Sequence, residues 1–482
     1  MEKIPGEELD IDRKRRVNLP RHKLDLRPTG ERIGDFQEVV VPFDIERAKF
    51  EASRCIHCPA PEGCVSACPV HNDIPSALWL IEQGDFLKAA MTYRQTSTLP
   101  EICGRICPHE ILCEGGCVLS KEGEPVWCGF LEVFCVDYQR THGAVEIEKA
   151  AQKDKRIAIV GGGPGGLACA ERLVGQGYAV TVFDYRPLAG GLLLYGIPGF
   201  KLSSRLLLEK LKELSRWGVE FVNDICIGED KSVDDLFSEG FEAVFIAAGT
   251  GVDKKMGIPG EDLPGVLSGI DYLIRSNVDN SLLPPSMTQD VRVGDNVVII
   301  GGGDTASDCL RTTVRLGVKN VTCLYRRSEM EMPGTIKDRG LAREEGAEYM
   351  FLTQPIAFIA GENGRLAKVE CVKMELGEPD EKGRRRPNPI EDSNFYIEAD
   401  NAILALGFSP DPTLGKNTND LETTRRGLIV VDPETCATSR EGVYAGGDIA
   451  RGADLVVTAV ADGITAAASI DAYLQEKPNN LL

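Results

Sequence analysis

The chain has 482 residues, enough for about three domains of ordinary size. Its composition is globular, 43% hydrophobic and 27% charged, so several cores can form without covalent staples. A net charge of −20 argues against nucleic acid and anionic membranes as partners, because both reward a basic surface.

The N-terminal stretch MEKIPGEELDIDRKRR is polar and lacks the apolar core of a signal peptide. No apolar run reaches the roughly 18 residues of a membrane span. These features predict a cytoplasmic protein whose thiols stay reduced. The basic run Arg13–Lys14–Arg15–Arg16 reads as a solvated arm.

Residues 1–142 are rich in cysteine and show helical periodicity over 76–92 and 126–140. Ten of the 16 cysteines lie between Cys55 and Cys135. One run is Cys55-x2-Cys58-x5-Cys64-x3-Cys68-Pro69; the other is Cys103-x3-Cys107-Pro108-x4-Cys113-x3-Cys117. Disulfides, a zinc site and iron–sulfur ligation are the three readings. A reducing compartment disfavours the first. Zinc favours two C-x2-C knuckles, and these runs hold one. The C-x3-C-P ending matches the bacterial ferredoxin run, and the eight cysteines equal the ligands of two 4Fe–4S clusters. Cys169, Cys226, Cys309, Cys323, Cys371 and Cys436 are scattered singly in apolar segments and read as small hydrophobes. His57, His71 and His109 sit among the cysteines as loop residues that no metal needs.

Residues 143–155 are polar and read as a linker. From Arg156 onward, short β-branched runs alternate with glycine loops and helices, the pattern of α/β layering. Gly161, Gly163, Pro164, Gly165 and Gly166 form a G-x-G-x-x-G turn between the strand 156–160 and a helix whose expected C-cap is Gly177. Such a turn lets backbone approach a pyrophosphate at a helix N-terminus. The next strand ends in Asp184, a carboxylate suited to a ribose hydroxyl pair. A second unit repeats the pattern after a loop at 276–290, with Gly301, Gly303 and Ala306 in the same places and Asp304 and Thr305 opening the helix. Its following strand ends in Arg326 and Arg327, which suit the 2′-phosphate of NADPH.

An acid-ended unit and a basic one predict FAD in the first and NADPH in the second. Gly249, Gly447 and Asp448 extend the flavin set, with Asp448 as the holder of the ribityl chain, and Gly191 and Leu192 as a wall beside the isoalloxazine. The expected boundaries are 156–288 and 409–482 for the two parts of the FAD-binding domain and 289–408 for the NADPH-binding domain.

The segments CPVHNDIPSALWLIEQGDFLKAA, TLPEICGRICPHEILCEGGC, GGGDTASDCLRTTVRLG, YRRSEMEMPG and AGGDIARGADLVVTAVADG together resemble the small subunit of bacterial NADPH-dependent glutamate synthase, over about residues 35–475. The same module resembles parts of dihydropyrimidine dehydrogenase and of the ferredoxin-linked NADP transhydrogenases. The resemblance implies an α/β fold: two Rossmann-like domains in the glutathione-reductase-like arrangement, behind a helical iron–sulfur domain. It implies cross-wired clusters, one on Cys55, Cys58, Cys64 and Cys117 and the other on Cys68, Cys107, Cys113 and Glu132, with Cys103 spare. Cys128 and Cys135 share a helix face with Glu132 and depart from the family pattern, so either could replace it. The implied partner is a large FMN-containing subunit that makes glutamate from 2-oxoglutarate and glutamine. Hydride transfer to a flavin needs no protein acid or base, so no such residue is named.

Overall fold

The computed structural model describes residues 3–476, except 5, 7, 8, 122, 284–286, 289, 290, 292, 381, 382 and 384, so the loop expected over 276–290 lies partly outside the described residues.

The first third is helical. Asp73 starts the helix Ile74–Gln83 by accepting from the Ser76 N–H, and Gly84 ends it at φ 89°. A second helix, Phe86–Thr96, follows at once. The single helix expected over 76–92 is therefore two, because glycine takes the left-handed conformation that closes a helix. The helix expected over 126–140 runs instead over Cys128–His142, with Trp127 as its N-cap. Leu78, Ile81, Tyr93, Leu131 and Cys135 are buried where these helices meet.

The basic run forms the helix Arg13–Val17. Arg16 donates to both carboxylate oxygens of Glu82, at 2.9 and 2.8 Å, and to the Cys55 carbonyl at 3.0 Å. The solvated-arm reading therefore fails for Arg16: a carboxylate and a free carbonyl on the cysteine-bearing domain draw it in. Residues 143–155 form neither helix nor strand. They are laid along the next domain, with Ala150 N–H donating to Gly175 O and Lys153 N–H to Gly177 O, both at 2.8 Å.

Two parallel five-stranded sheets follow, built to one plan. In the first, the order is Val443–Ala445, Ala243–Ile246, Arg156–Val160, Ala179–Phe183, Val219–Val222. In the second it is Val266–Ser268, Asn401–Leu404, Asn296–Ile300, Asn320–Tyr325, Glu348–Phe351. The chain leaves the first sheet, completes the second, and returns to supply the strand Val443–Ala445. A short antiparallel pair, Val252–Asp253 with Phe408–Ser409, ties the two crossings together. The strands Thr353–Ala360, Leu366–Pro379, Arg385–Pro389 and Phe395–Glu398 form a separate antiparallel sheet.

The long helix Val456–Glu476 packs on the helix Pro164–Gly175. Their approach is close because Gly463 faces Gly165: a Cβ on Gly463 would lie 2.2 Å from the Gly165 carbonyl. Cys68, Val70, Leu99, Ile102 and Cys103 belong to the same buried cluster as Leu167, Val457 and Val460, so the cysteine domain and the first sheet share one core.

A buried ion network fixes the second sheet against the N-terminal segment. Arg32 donates to Glu345 at 3.0 Å and to Glu344 at 2.8 Å. Glu345 also accepts from Arg311 and Arg315, whose guanidiniums sit over the Phe200 ring. Removing one member of so buried a set typically costs about 3–5 kcal/mol, because a charge is left unpaired.

Candidate functional site

Four cavities collect the candidate site residues. The first crevice opens at the end of the first sheet and has about 190 Å³ of water-accessible space. Gly161, Gly163, Pro164 and Gly165 line it on one side, and Gly191, Leu192, Gly249, Gly447 and Asp448 on others. A Cβ on Gly163 would meet no protein atom within 4 Å, so the space over this turn is open to a ligand. Gly166 does not line the crevice. A Cβ there would lie 2.0 Å from the Gly161 carbonyl, so this glycine lets the helix close on the turn.

Asp184 lines the same crevice, but both its oxygens already serve the backbone. One accepts the Gly162 N–H at 2.8 Å and the other the Arg186 N–H at 2.9 Å. Burial raises its pKa, against the pull of those two N–H groups. The carboxylate thus shapes the glycine turn as well as facing the crevice. Asp448 is half-buried, accepts from the Asp454 N–H at 3.2 Å and from the Thr250 hydroxyl at 3.4 Å, and is pushed up to about 6 by desolvation.

The second cavity holds about 570 Å³ and is lined by Gly301, Gly303, Thr305, Arg326 and Arg327. No ion pair is formed by Arg326 or Arg327 among the described residues, and the Arg327 Nε is buried without a partner. Two unneutralised guanidiniums beside a glycine turn fit a phosphate dianion. Asp304 and Ala306 stay outside this cavity. Asp304 accepts the Thr335 N–H at 3.2 Å, and Ala306 is buried in the core of the second sheet. Lys254, Lys255 and Gln354 line it too, and nothing in their local sequence marks them.

The eight expected ligands line two cysteine cavities. Cys55, Cys58, Cys64 and Cys117 surround one, and Cys68, Cys107, Cys113 and Glu132 the other. Cys103 joins the second set, and its carbonyl accepts the Cys107 N–H at 3.0 Å. Cys128 lines both cavities, while Cys135 lines neither and donates to the Glu132 carbonyl at 3.3 Å. All 16 cysteines are free. Among the described residues no three His, Cys, Asp or Glu side chains converge on a point that could hold a single metal ion.

These donors fit iron–sulfur clusters. Glu132 is buried, with one bond, a 3.3 Å contact from the Asn72 amide, and burial pushes it up to about 8. Such a carboxylate lacks the partners a buried charge needs, and a metal would provide one. Burial raises Cys55 and Cys68 to about 12, which a coordinating metal reverses by holding thiolates. His57 and His109 are buried and pushed down to about 4 and about 3 by desolvation, so both rings are neutral packing groups.

The first crevice and the two cysteine cavities adjoin one another. Val456 lines the first crevice and the next residue, Val457, lines the second cysteine cavity. Cys128 then links that cavity to the other. Among the described residues, no helix is long and apolar enough to cross a membrane.

Comparison with known proteins agrees with this geometry. The family model for dihydropyrimidine dehydrogenase domain II, 4Fe-4S cluster, matches residues 32–144, and that for pyridine nucleotide-disulphide oxidoreductases matches residues 155–463. The putative oxidoreductase AegA of Escherichia coli is 41% identical, over 94% of this chain and 69% of its own length. The glutamate synthase [NADPH] small chain of E. coli is 40% identical, over 95% of this chain and 97% of its own. The solved structure of Mycobacterium tuberculosis FprA in complex with NADPH shares the fold of 67% of this chain and 85% of its own, at a TM-score of 0.56 and 18% identity. Matched over almost all of its length to a relative of 40% identity, the chain belongs to the glutamate synthase [NADPH] small-chain family, pyridine-nucleotide flavoprotein oxidoreductases with an N-terminal iron–sulfur domain.

Proposed function

We propose that this chain is the electron-input subunit of a cytoplasmic NADPH-dependent glutamate synthase. In this reading residues 1–142 hold two 4Fe–4S clusters, 156–288 and 409–482 hold FAD, and 289–408 hold NADPH. One observation carries the reading: the first crevice and the two cysteine cavities lie side by side, with Val456 and Val457 on neighbouring walls and Cys128 lining both cysteine cavities. A non-catalytic subunit that binds nucleotide and zinc as a scaffold, the alternative of another class, has no need of such proximity.

When bound, NADPH supplies a hydride, FAD accepts the electron pair, and 4Fe–4S clusters pass electrons singly. The chain's own residues bind, orient and exclude water. Arg326 and Arg327 clasp the 2′-phosphate, and the turn at Gly301–Gly303 receives the pyrophosphate. The turn at Gly161–Gly165 does the same for FAD, with Asp448 accepting from its ribityl hydroxyls. Partial burial of Asp448 limits the water that competes for those bonds. The thiolates of Cys55, Cys58, Cys64 and Cys117 hold one cluster, and Cys68, Cys107, Cys113 and Glu132 the other. No residue is needed as acid or base.

The acceptor is a large FMN-containing subunit that converts glutamine and 2-oxoglutarate into two glutamates. A second reading keeps the module and changes the acceptor, as in a ferredoxin-linked NADP transhydrogenase; the 41% identity to a putative oxidoreductase favours it. Anaerobic purification with bound partners separates the two. The expected product carries flavin and about eight irons per chain, bleaches on NADPH, and brings down the large subunit. Material without iron and acid-labile sulfide, or unreactive with NADPH, would overturn the reading.

A further inference from the structure

A fifth cavity, about 660 Å³, is larger than the four above. Three parts of the chain meet in its wall: the N-terminal segment with Leu24, Val40 and Phe43, the cysteine domain with Trp127 and Phe130, and the helix Ile336–Glu344 of the second nucleotide unit with Leu341. The rings of Phe43, Phe130 and Trp127 adjoin, with centroids 6.2 Å and 5.2 Å apart. A mostly apolar wall with a few placed polar groups is the usual lining of a small-molecule site, and the volume falls in the usual range of about 300–1,000 Å³.

The cations of this wall are neutralised, with one exception. Arg21 pairs with Glu114 at 2.7 Å, Arg105 with Glu38 at 3.0 Å, Lys201 with Asp338 at 2.8 Å and Arg311 with Asp338 at 3.1 Å. Lys337 forms no ion pair among the described residues, although Glu110 lines the same cavity. Its ammonium stands 4.6 Å from the centre of the Phe130 ring, which attracts a cation but carries no net charge. Water reaches Lys337, yet the protein around it desolvates it and lowers its pKa. It also sits in the first turn of its helix, next to the N-cap Thr335, where the helix dipole disfavours a cation. A bound anion would relieve both penalties.

We propose that this cavity binds a small organic monoanion, a carboxylate on an apolar, ring-bearing body, with the Lys337 ammonium on the carboxylate and the rings of Phe43, Trp127 and Phe130 against the body. The single free cation sets the charge, since Glu110 on the same wall opposes a second negative group. An occupant would touch all three parts of the chain and hold them together. The inference goes beyond the electron-input reading and does not depend on it.

The test is isothermal titration calorimetry and thermal melting of the anaerobically purified full chain with naphthoate and phenylpropionate as probes. At least one carboxylate should bind and raise the melting temperature. The neutral naphthalenemethanol should bind at least about tenfold more weakly than naphthoate, because it lacks the charge-assisted contact. Lys337→Gln should weaken the carboxylate by about tenfold to a hundredfold, and Lys337→Arg should keep most of the affinity. Gly340 lines the cavity, needs no positive φ, and a Cβ there meets no protein atom within 4 Å. Gly340→Phe should therefore fold, place a ring in the space and abolish binding. Flavin reduction by NADPH should be unchanged in these variants, which shows that they are folded. Excess NADP⁺ should not displace the probe. Absence of binding by both carboxylates at millimolar concentration overturns the proposal. So does wild-type affinity in Lys337→Gln or Gly340→Phe, equal affinity for the alcohol, or displacement by NADP⁺, which would place the probe in the second cavity.

Discussion

At the first glycine turn, Gly161–Gly166, the strand that follows ends in Asp184; at the second, Gly301–Ala306, it ends in Arg326 and Arg327. The backbone is alike in both, down to the N-cap glycines at 163 and 303, whose φ values are −73° and −90°. The side chains are treated differently. Both oxygens of Asp184 are engaged by backbone N–H groups, whereas the two arginines form no ion pair among the described residues. The first crevice is also the smaller, at about 190 Å³ against 570 Å³. On the proposed reading a shared turn would receive the pyrophosphate in both units, and selectivity would lie in whether the charge beyond it is satisfied internally or left for a ligand.

The sharpest way to break this comparison is to fill both turns. A Cβ at Gly163 or Gly303 meets no protein atom within 4 Å, and neither position needs positive φ, so Gly163→Ala and Gly303→Ala should fold normally. Gly163→Ala should be purified with little flavin. Gly303→Ala should keep its flavin and lose reduction by NADPH. Flavin-to-protein ratios and anaerobic stopped-flow reduction read both outcomes, and retention of full activity by either would contradict the pyrophosphate assignment.

Arg327→Ala comes next. Loss of one charge-assisted contact, about 1.5–3 kcal/mol, should raise KM for NADPH by about tenfold to a hundredfold. KM for NADH should change little, so the ratio of kcat/KM values is the measurement. An equal loss with both nucleotides would show that the arginine has no part in selectivity.

Asp184→Ala should act on the turn itself. It leaves the Gly162 and Arg186 N–H groups without their acceptors, at a cost of about 1–3 kcal/mol in urea unfolding. The NADPH-to-NADH preference should stay as it was.

The smallest effect is on pH dependence. Asp448 titrates at about 6 in the fold, against 3.8 as the reference, because burial disfavours its charge. Between pH 4 and 6 the folded protein holds a proton that the unfolded chain has released. Stability of the flavin-free protein should therefore fall as pH rises through that window, and the contribution is fully present only below pH 4. Asp448→Asn should flatten the slope in thermal melts recorded across it. An identical slope in the variant would assign the effect to another group.

Much of the site was legible because its chemistry is local. Glycine spacing, strand ends and cysteine runs are patterns of a few residues, and each marks a turn or ligand loop. Other features were not legible. Helical periodicity continued through residue 84, yet Gly84 divided the helix by taking a conformation that periodicity does not record. Asp304 and Ala306 fit the motif by position, but the helix turns them away from the cavity. Arg16 looked free because its partners, Glu82 and the Cys55 carbonyl, are remote in the chain.

The sequence by itself determined the two nucleotide units, their charge difference, the supply of thiols and, through resemblance, the family. Only the tertiary structure decided that Asp184 is tied to its own turn, that Val456 and Val457 line neighbouring spaces, and that Cys128 lies between both cysteine sets. The reason is range. A turn or ligand run is set by φ, ψ and spacing over a few residues, whereas a shared wall depends on packing between segments hundreds of residues apart, on which no local pattern reports.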